Sequence, residues 1–228
     1  MAKATKKTVT GKTMKTVAGK NVTGKKARID SIAPRAVDPN QVEVRVGGRT
    51  VATLLRHRAD ELGLAEGAPW TPALAARVDA AAAEALAREA ALAFLAKRAW
   101  SAAGLQARLV KGGHAARAAA NAVKELVADG WLNDRAFAEG RVEQLRTRGA
   151  MAADALEALL EADGVGERDA REAAKAGAGT AAELRKEAKA ARKAGESANR
   201  VAGRMGRRGF DPDTIRDALE HAGYRLDV

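Results

Sequence analysis

The 228-residue sequence contains no cysteine, which removes disulfides, thiol catalysis and cysteine-ligated metals together. Its three histidines, His57, His114 and His221, lie far apart in no ligand spacing, so neither a metal centre nor a cofactor is expected. No run of eighteen apolar residues occurs, and even the alanine-rich stretch 73–93 is broken by Arg77, Asp79, Glu84, Arg88 and Glu89. A membrane span is therefore not expected. The N-terminal lysines have no apolar segment behind them, so the chain reads as a soluble cytoplasmic protein without a secretion signal. Catalytic motifs are missing too. The "GAGT" at 177–180 lacks the spaced Gly-Lys-Ser/Thr of a phosphate loop. Acid pairs such as Glu157/Glu161 stand one helical turn apart among other charges, as on a solvated helix face. The chain reads as a non-enzyme.

Only seven residues are aromatic, and alanine supplies much of the 46% apolar content. Such a core suits closely packed helices better than a thick sheet sandwich. What is abundant is positive charge, and it is unevenly placed. The net charge is +11, and residues 1–28 contain nine basic side chains (Lys3, Lys6, Lys7, Lys12, Lys15, Lys20, Lys25, Lys26 and Arg28) and no acid. Residues 91–150 carry a further excess of +5, while the remaining segments are near neutral. Such asymmetry points to a polyanionic partner, nucleic acid rather than membrane, because no large apolar face accompanies the lysines. Residues 1–40 are expected to be a basic disordered tail, since like-charge repulsion and few large apolar groups oppose folding. The nine basic residues of the tail are candidate DNA contacts.

Gln41–Val51, "QVEVRVGGRTV", alternates valine with charged residues and turns at Gly47-Gly48, which predicts a small β-hairpin within a 41–70 hairpin-and-linker segment. Thr71 is the expected N-cap of a long helix with Pro72 at its first position. From there the sequence reads as helix: 73–100, a segment capped by Ser101 that stops at Gly112-Gly113, 115–128, a helix capped by Asn133 or Asp134, 154–162, 167–176 stopped by Gly177, an Arg-rich helix ending at Gly209, and a last helix capped by Asp211.

The breaks "ARLVKGGH", "EALLEADGV" and "AGRMGRRGF" resemble one another. His114, Val165 and Phe210 follow the glycine in each, and Ala119/Val123, Ala170/Ala174 and Ile215/Leu219 stand at +5 and +9 on one helical face. The first and third also end alike, in Gly130-Trp131 and Gly223-Tyr224. The pattern predicts a mainly α fold of tandem three-helix repeats over 71–132, 133–177 and 178–228, forming an elongated curved array after the N-terminal hairpin.

Three segments carry a resemblance to a known family: Ala96–Gly113 "AKRAWSAAGLQARLVKGG", Asp129–Ala138 "DGWLNDRAFA", and "RRGFDPDTIRDAL". They resemble the RecX family of RecA-recombinase regulators, with Ser101, Leu105, Arg108, Leu109, Gly113, Gly130, Leu132, Asp134, Phe137 and Ala138 at the family's pattern positions. "LGLAEGAPWTPAL" resembles the family's segment after its N-terminal hairpin. The sequence departs from the pattern at His114, where the family has an aromatic, and in the acidic middle repeat. The resemblance implies a monomeric interaction protein that binds RecA and the RecA–DNA filament and opposes recombinase activity in DNA repair and the SOS response.

The candidate RecA- or DNA-binding residues are Lys97, Arg98, Arg108, Lys111 and Arg117 around the first break, Arg141, Arg146 and Arg148 on the next helix, and Arg204, Arg207 and Arg208 before the last break. Arginine suits phosphate and carboxylate because its planar fork donates two hydrogen bonds at once. Each such cation is alternatively a helix-terminal charge, worth only about 0.3–1 kcal/mol. Trp100, Trp131, Phe137, Phe210 and Tyr224 recur beside helix ends with apolar neighbours and are expected in the core. An architectural DNA-binding protein without a RecA partner is the alternative reading.

Overall fold

The structure, a computed structural model, describes residues 27–225. The tail candidates Lys3, Lys6, Lys7, Lys12, Lys15, Lys20, Lys25 and Lys26 lie outside the described residues. The chain divides into two compact units, Met1–Ala85 and Leu86–Val228.

Among its described residues the first unit holds three antiparallel strands, β1 (Ile29–Pro34), β2 (Gln41–Val46) and β3 (Arg49–Leu55), in that spatial order. The expected hairpin is present as β2–β3, turning through Gly47 and Gly48, both at positive φ, where glycine carries no Cβ penalty. β1 corrects the expectation of a tail to residue 40. It pairs with the free edge of β2, Ile32 opposite Val44 and Pro34 opposite Val42. A hairpin alone is marginal, and a third strand satisfies more of its edge groups. Arg28, expected in the tail, instead bridges Pro69 and donates from Nη1 to the Gly67 carbonyl at 2.6 Å. Val42, Val44, Val46 and Leu54 are buried on one sheet face with Val78 and Ala81 of α2 (Pro72–Leu95). A short helix, α1 (Arg56–Glu61), follows β3 directly. Leu74 N donates to Thr71 Oγ1 at 3.2 Å, the expected cap of α2.

Among its described residues the second unit contains the end of α2 and eight further helices. They are α3 (Ala102–Lys111), α4 (Ala116–Ala128), α5 (Asp134–Arg146), α6 (Ala153–Ala162), α7 (Glu167–Gly177), α8 (Ala181–Lys193), α9 (Ala198–Gly206) and α10 (Pro212–His221). Their buried residues sort into three cores. The first joins the end of α2 with α3 and α4, the second joins α5–α7, and the third joins α8–α10. The fold is thus mainly helical with three helical triplets, each built around one glycine break. The one Arg-rich helix expected before Gly209 is in fact two, α8 and α9, separated at Gly195, whose φ of 76° needs glycine. The helix expected to run to residue 100 ends at Leu95.

The breaks are the same structure three times. His114, Val165 and Phe210 donate their N–H to the carbonyls of Leu109, Leu160 and Met205 at 3.2, 3.0 and 3.4 Å. Gly113, Gly164 and Gly209 donate to Val110, Glu161 and Gly206, and all three glycines have positive φ. This paired bonding is the left-handed helix stop, which satisfies carbonyls the helix leaves open. The expected stripe is buried at Ala119/Val123, Ala170/Ala174 and Ile215/Leu219, and matching pairs Leu105/Leu109, Leu156/Leu160 and Val201/Met205 precede the breaks. Gly177 is not such a stop. It is the last residue of α7, without positive φ, and its missing side chain leaves room for Val142, which a Cβ would strike.

The triplets join through a repeated contact. At the first joint, Ser101 Oγ donates to the Asp163 carbonyl at 2.5 Å while accepting from Gly104 N. A Cβ on Gly164 would stand 2.9 Å from Gly104 N. At the second, Ala152 N donates to the Arg208 carbonyl at 3.0 Å, and a Cβ on Gly209 would stand 2.6 Å from Ala155 Cβ. In each case the carbonyl before a break glycine accepts from the N-cap residue of the preceding triplet's second helix. Only glycine allows that approach.

Candidate binding surface

The basic residues of the first triplet gather around the aromatic pair Phe94 and Trp100, whose rings meet edge-to-face with centroids 6.0 Å apart. The Arg98 guanidinium lies 3.6 Å from the Trp100 centroid, and that of Arg108 lies 4.9 Å from Phe94. Attraction between a cation and a ring face restrains each guanidinium, whose fork has more N–H donors than the ring contact uses. The sequence builds this locally. Arg98 follows the end of α2, Trp100 precedes the Ser101 cap, and Arg108 lies seven residues beyond Ser101 in the last turn of α3. Lys97, Lys111 and Arg117 are exposed, and their side chains have no partner among the described residues. Arg98 and Arg108 are thus brought together through the ring pair. Lys111 sits one turn from Arg108, and Arg117 stands in the first turn of α4.

The remaining candidates divide differently. Arg141 Nε lies 2.7 Å from Asp163 Oδ2, and Arg146 Nη2 lies 2.6 Å from Glu183 Oε1, linking α5 to α8. Arg204 sits between Glu187 at 3.0 Å and Glu196 at 2.7 Å. Its hydrogen bonds to Glu196 and then Glu187 raise its pKa further, and the same contact with Arg204 holds the Glu196 carboxyl below the usual range. Arg208 reaches Glu187 at 2.8 Å and donates from Nη2 to the Arg148 carbonyl at 2.6 Å. These four arginines are joined to acids of the array itself. Arg148 and Arg207 are exposed and their guanidinium groups have no partner among the described residues.

One pair of slots shows why the sequence did not separate these classes. Ala138 and Val142 of α5 correspond to Leu184 and Ala188 of α8, all buried. That register places Arg141 opposite Glu187, and Asp163 opposite Arg208, each just before its break glycine. The same bridge is built twice with the charges exchanged. An arginine before a break is therefore no sign of a repeated phosphate surface. Sequence reasoning also passed over Lys186, Lys189 and Lys193, exposed on α8 away from its buried Leu184, Ala188 and Ala191. Their i, i+3, i+7 spacing was the available signal.

Trp131 corrects the expectation that the five aromatics are core. It is 61% exposed, next to Val127 at 47%. Its N–H makes the helix-stop bond to Leu126, but Leu132, not the indole, turns into the core. Trp100, Phe137, Phe210 and Tyr224 are half-buried against the cores, and Tyr224 Oη donates to the Glu196 carbonyl at 3.0 Å. A groove of about 460 Å³ between α5 and α7 is walled by Arg135, Glu139, Glu143, Thr147, Asp169 and Glu172. Among the described residues no cluster of three or more His, Asp or Glu could hold a metal, and no helix is long and apolar enough to cross a membrane.

No protein-family model and no curated protein sequence matches the chain. Solved structures are similar to it, two of them as follows. One is the crystal structure of the regulatory protein RecX, with a TM-score of 0.62 and 16% identity over 87% of this chain and 95% of that one. The other is RecX from Lactobacillus salivarius, with a TM-score of 0.52 and 16% identity over 62% of this chain and 97% of that one. The chain has the RecX fold.

Proposed function

We propose that the protein is a RecX-type regulator that binds a RecA-class recombinase on its DNA filament and restrains strand exchange. The fold supports a regulator of this kind. The observation that carries the reading further is the aromatic-mounted pair Arg98 and Arg108, flanked by the uncommitted Lys97, Lys111 and Arg117. Guanidinium groups already restrained against rings lose less side-chain entropy when an anion binds, so more of the energy of their hydrogen bonds to phosphate or carboxylate is kept. The binding surface is therefore the first triplet. Arg141, Arg146, Arg204 and Arg208 serve the array instead.

Strand exchange and recombinase ATP hydrolysis, measured with substoichiometric protein, test this reading. Inhibition is expected from the wild type and a strong loss of it from Arg108→Ala/Lys111→Ala. Equal binding to naked and recombinase-coated DNA, with strand exchange and ATPase untouched, would favour the architectural DNA-binding reading instead. Deleting residues 1–26 separates the tail's part. Each phosphate it neutralises contributes about −0.9 to the salt slope on duplex DNA, so a flatter slope assigns the tail to DNA and an unchanged slope removes it.

A further inference from the structure

Among the described residues, the joint between triplets is made twice and left half-made on the first and third triplets. Ser101, Ala152 and Ser197 each stand twelve residues before their break glycines Gly113, Gly164 and Gly209. They are the N-cap residues of α3, α6 and α9. The seats on Ser101 and Ala152 receive the breaks of the following triplets. Among the described residues, nothing occupies the seat on Ser197. Ser101 is 1% exposed, with its hydroxyl bonded on both sides. The equivalent Ser197 is exposed and its side chain makes no cap bond. At the other end, the break glycines Gly164 and Gly209 have no room for a Cβ, whereas nothing lies within 4 Å of one on Gly113. One terminal triplet thus offers an empty seat, and the other an uncovered break of the shape that fills such seats.

The third seat differs most in the residue three past the N-cap. Three residues past the N-cap stand Gly104 and Ala155 in the occupied seats, but Arg200 in the empty one. Small residues there admit the incoming glycine backbone, which approaches Gly104 N and Ala155 Cβ closely. Arg200 is 77% exposed and tied only by a 3.7 Å contact to Glu196, whose carboxylate is already held at 2.7 Å by Arg204. Its guanidinium adds bulk and a charge that would lose water if a second backbone settled on it.

We propose that this chain can dock head to tail with a second copy, seating the Gly112–Gly113 break of one copy on the Ser197 seat of the next, and that Arg200 is the barrier that keeps the joint open in the wild type. In the docked pair the Gly112 carbonyl accepts from Ser197 Oγ, as the Asp163 carbonyl does from Ser101. The contact is heterologous, so removing the barrier yields chains and not only closed dimers.

Sedimentation equilibrium of wild type and Arg200→Ala over a concentration series tests it, with helicity checked by circular dichroism. Arg200→Ala is expected to self-associate at least about tenfold more tightly than the wild type. Adding Gly113→Asn, which tolerates the left-handed conformation but covers the break with a side chain, should return it to the wild-type value. Because there is no native cysteine, Gly112→Cys/Ser197→Cys in the Arg200→Ala background gives a second readout, a ladder of disulfide-linked chains on a non-reducing gel. If Arg200→Ala associates no more than the wild type, or associates through a surface that neither Gly113→Asn nor the cysteine pair detects, the proposal fails.

Discussion

The second joint between triplets can be opened and closed with two methyl groups. Gly209 has φ of 86°, and a Cβ there would stand 2.6 Å from Ala155 Cβ and 3.4 Å from Ala152 Cβ. Gly209→Ala therefore incurs two separable costs. The left-handed conformation costs an L-residue about 1–2 kcal/mol, partly offset by the smaller entropy of the unfolded alanine chain, about 0.4–1 kcal/mol. The steric clash adds about 1–3 kcal/mol of overpacking, since two methyl carbons cannot sit at 2.6 Å. Ala155→Gly removes the obstructing methyl. On its own it loses about 1 kcal/mol, because it places glycine inside α6. Combined with Gly209→Ala it should remove the clash and leave only the helix-glycine and left-handed costs, about 1–3 kcal/mol in all, giving a coupling of about 1–3 kcal/mol in a double-mutant cycle. Urea denaturation followed by circular dichroism measures all four corners. Gly113→Ala is the internal control, with the same sign of φ and nothing near its Cβ, so it should show the conformational cost alone. Additive effects of Gly209→Ala and Ala155→Gly, or equal costs at Gly113 and Gly209, would refute a close-packed joint at the break.

The other consequences follow from the same geometry. Ser101→Ala removes a cap and the hydroxyl that satisfies the Asp163 carbonyl, and should cost about 1–3 kcal/mol in urea denaturation; Ser197→Ala, with no bond to lose, should cost a small fraction of that. Arg204→Ala/Arg208→Ala leaves Glu187 without either partner and should lower the melting temperature, whereas Arg108→Ala/Lys111→Ala should leave it nearly unchanged while weakening recombinase-filament binding. The carboxyls of Glu183, Glu196 and Asp211 titrate below their ordinary range, held chiefly by the Thr180 backbone N–H, by Arg204 and by Thr214 respectively. A depressed carboxylate stabilises the fold above its unfolded-state pKa, and that contribution is lost as pH falls through the folded-state value. Stability should thus be level near neutrality and decline below about pH 4.5, where free carboxylates begin to protonate; Asp211→Asn should make the decline shallower, and an unchanged profile would mean that cap carries no linkage.

What the sequence determined by itself was whatever chemistry acts over one or two helical turns. The stops at Gly113, Gly164 and Gly209, the caps at Thr71, Ser101 and Asp211, and the stripes at +5 and +9 were legible because the residues that cause them are near neighbours in the chain. The arginine clusters were legible as charge but not as roles. Whether Arg208 meets solvent or Glu187 depends on how α8 and α9 pack, and Arg141 meets Asp163 across a similar interval. β1 was missed for a related reason, since "IDSIAP" has little strand pattern of its own and becomes a strand by pairing with the edge of β2. Trp131 shows the reverse error. Its neighbours look like core, but the turn after Gly130 gives the buried position to Leu132. Tertiary structure alone decided which cations stay free, because a charge is committed only when folding delivers an opposite one to it.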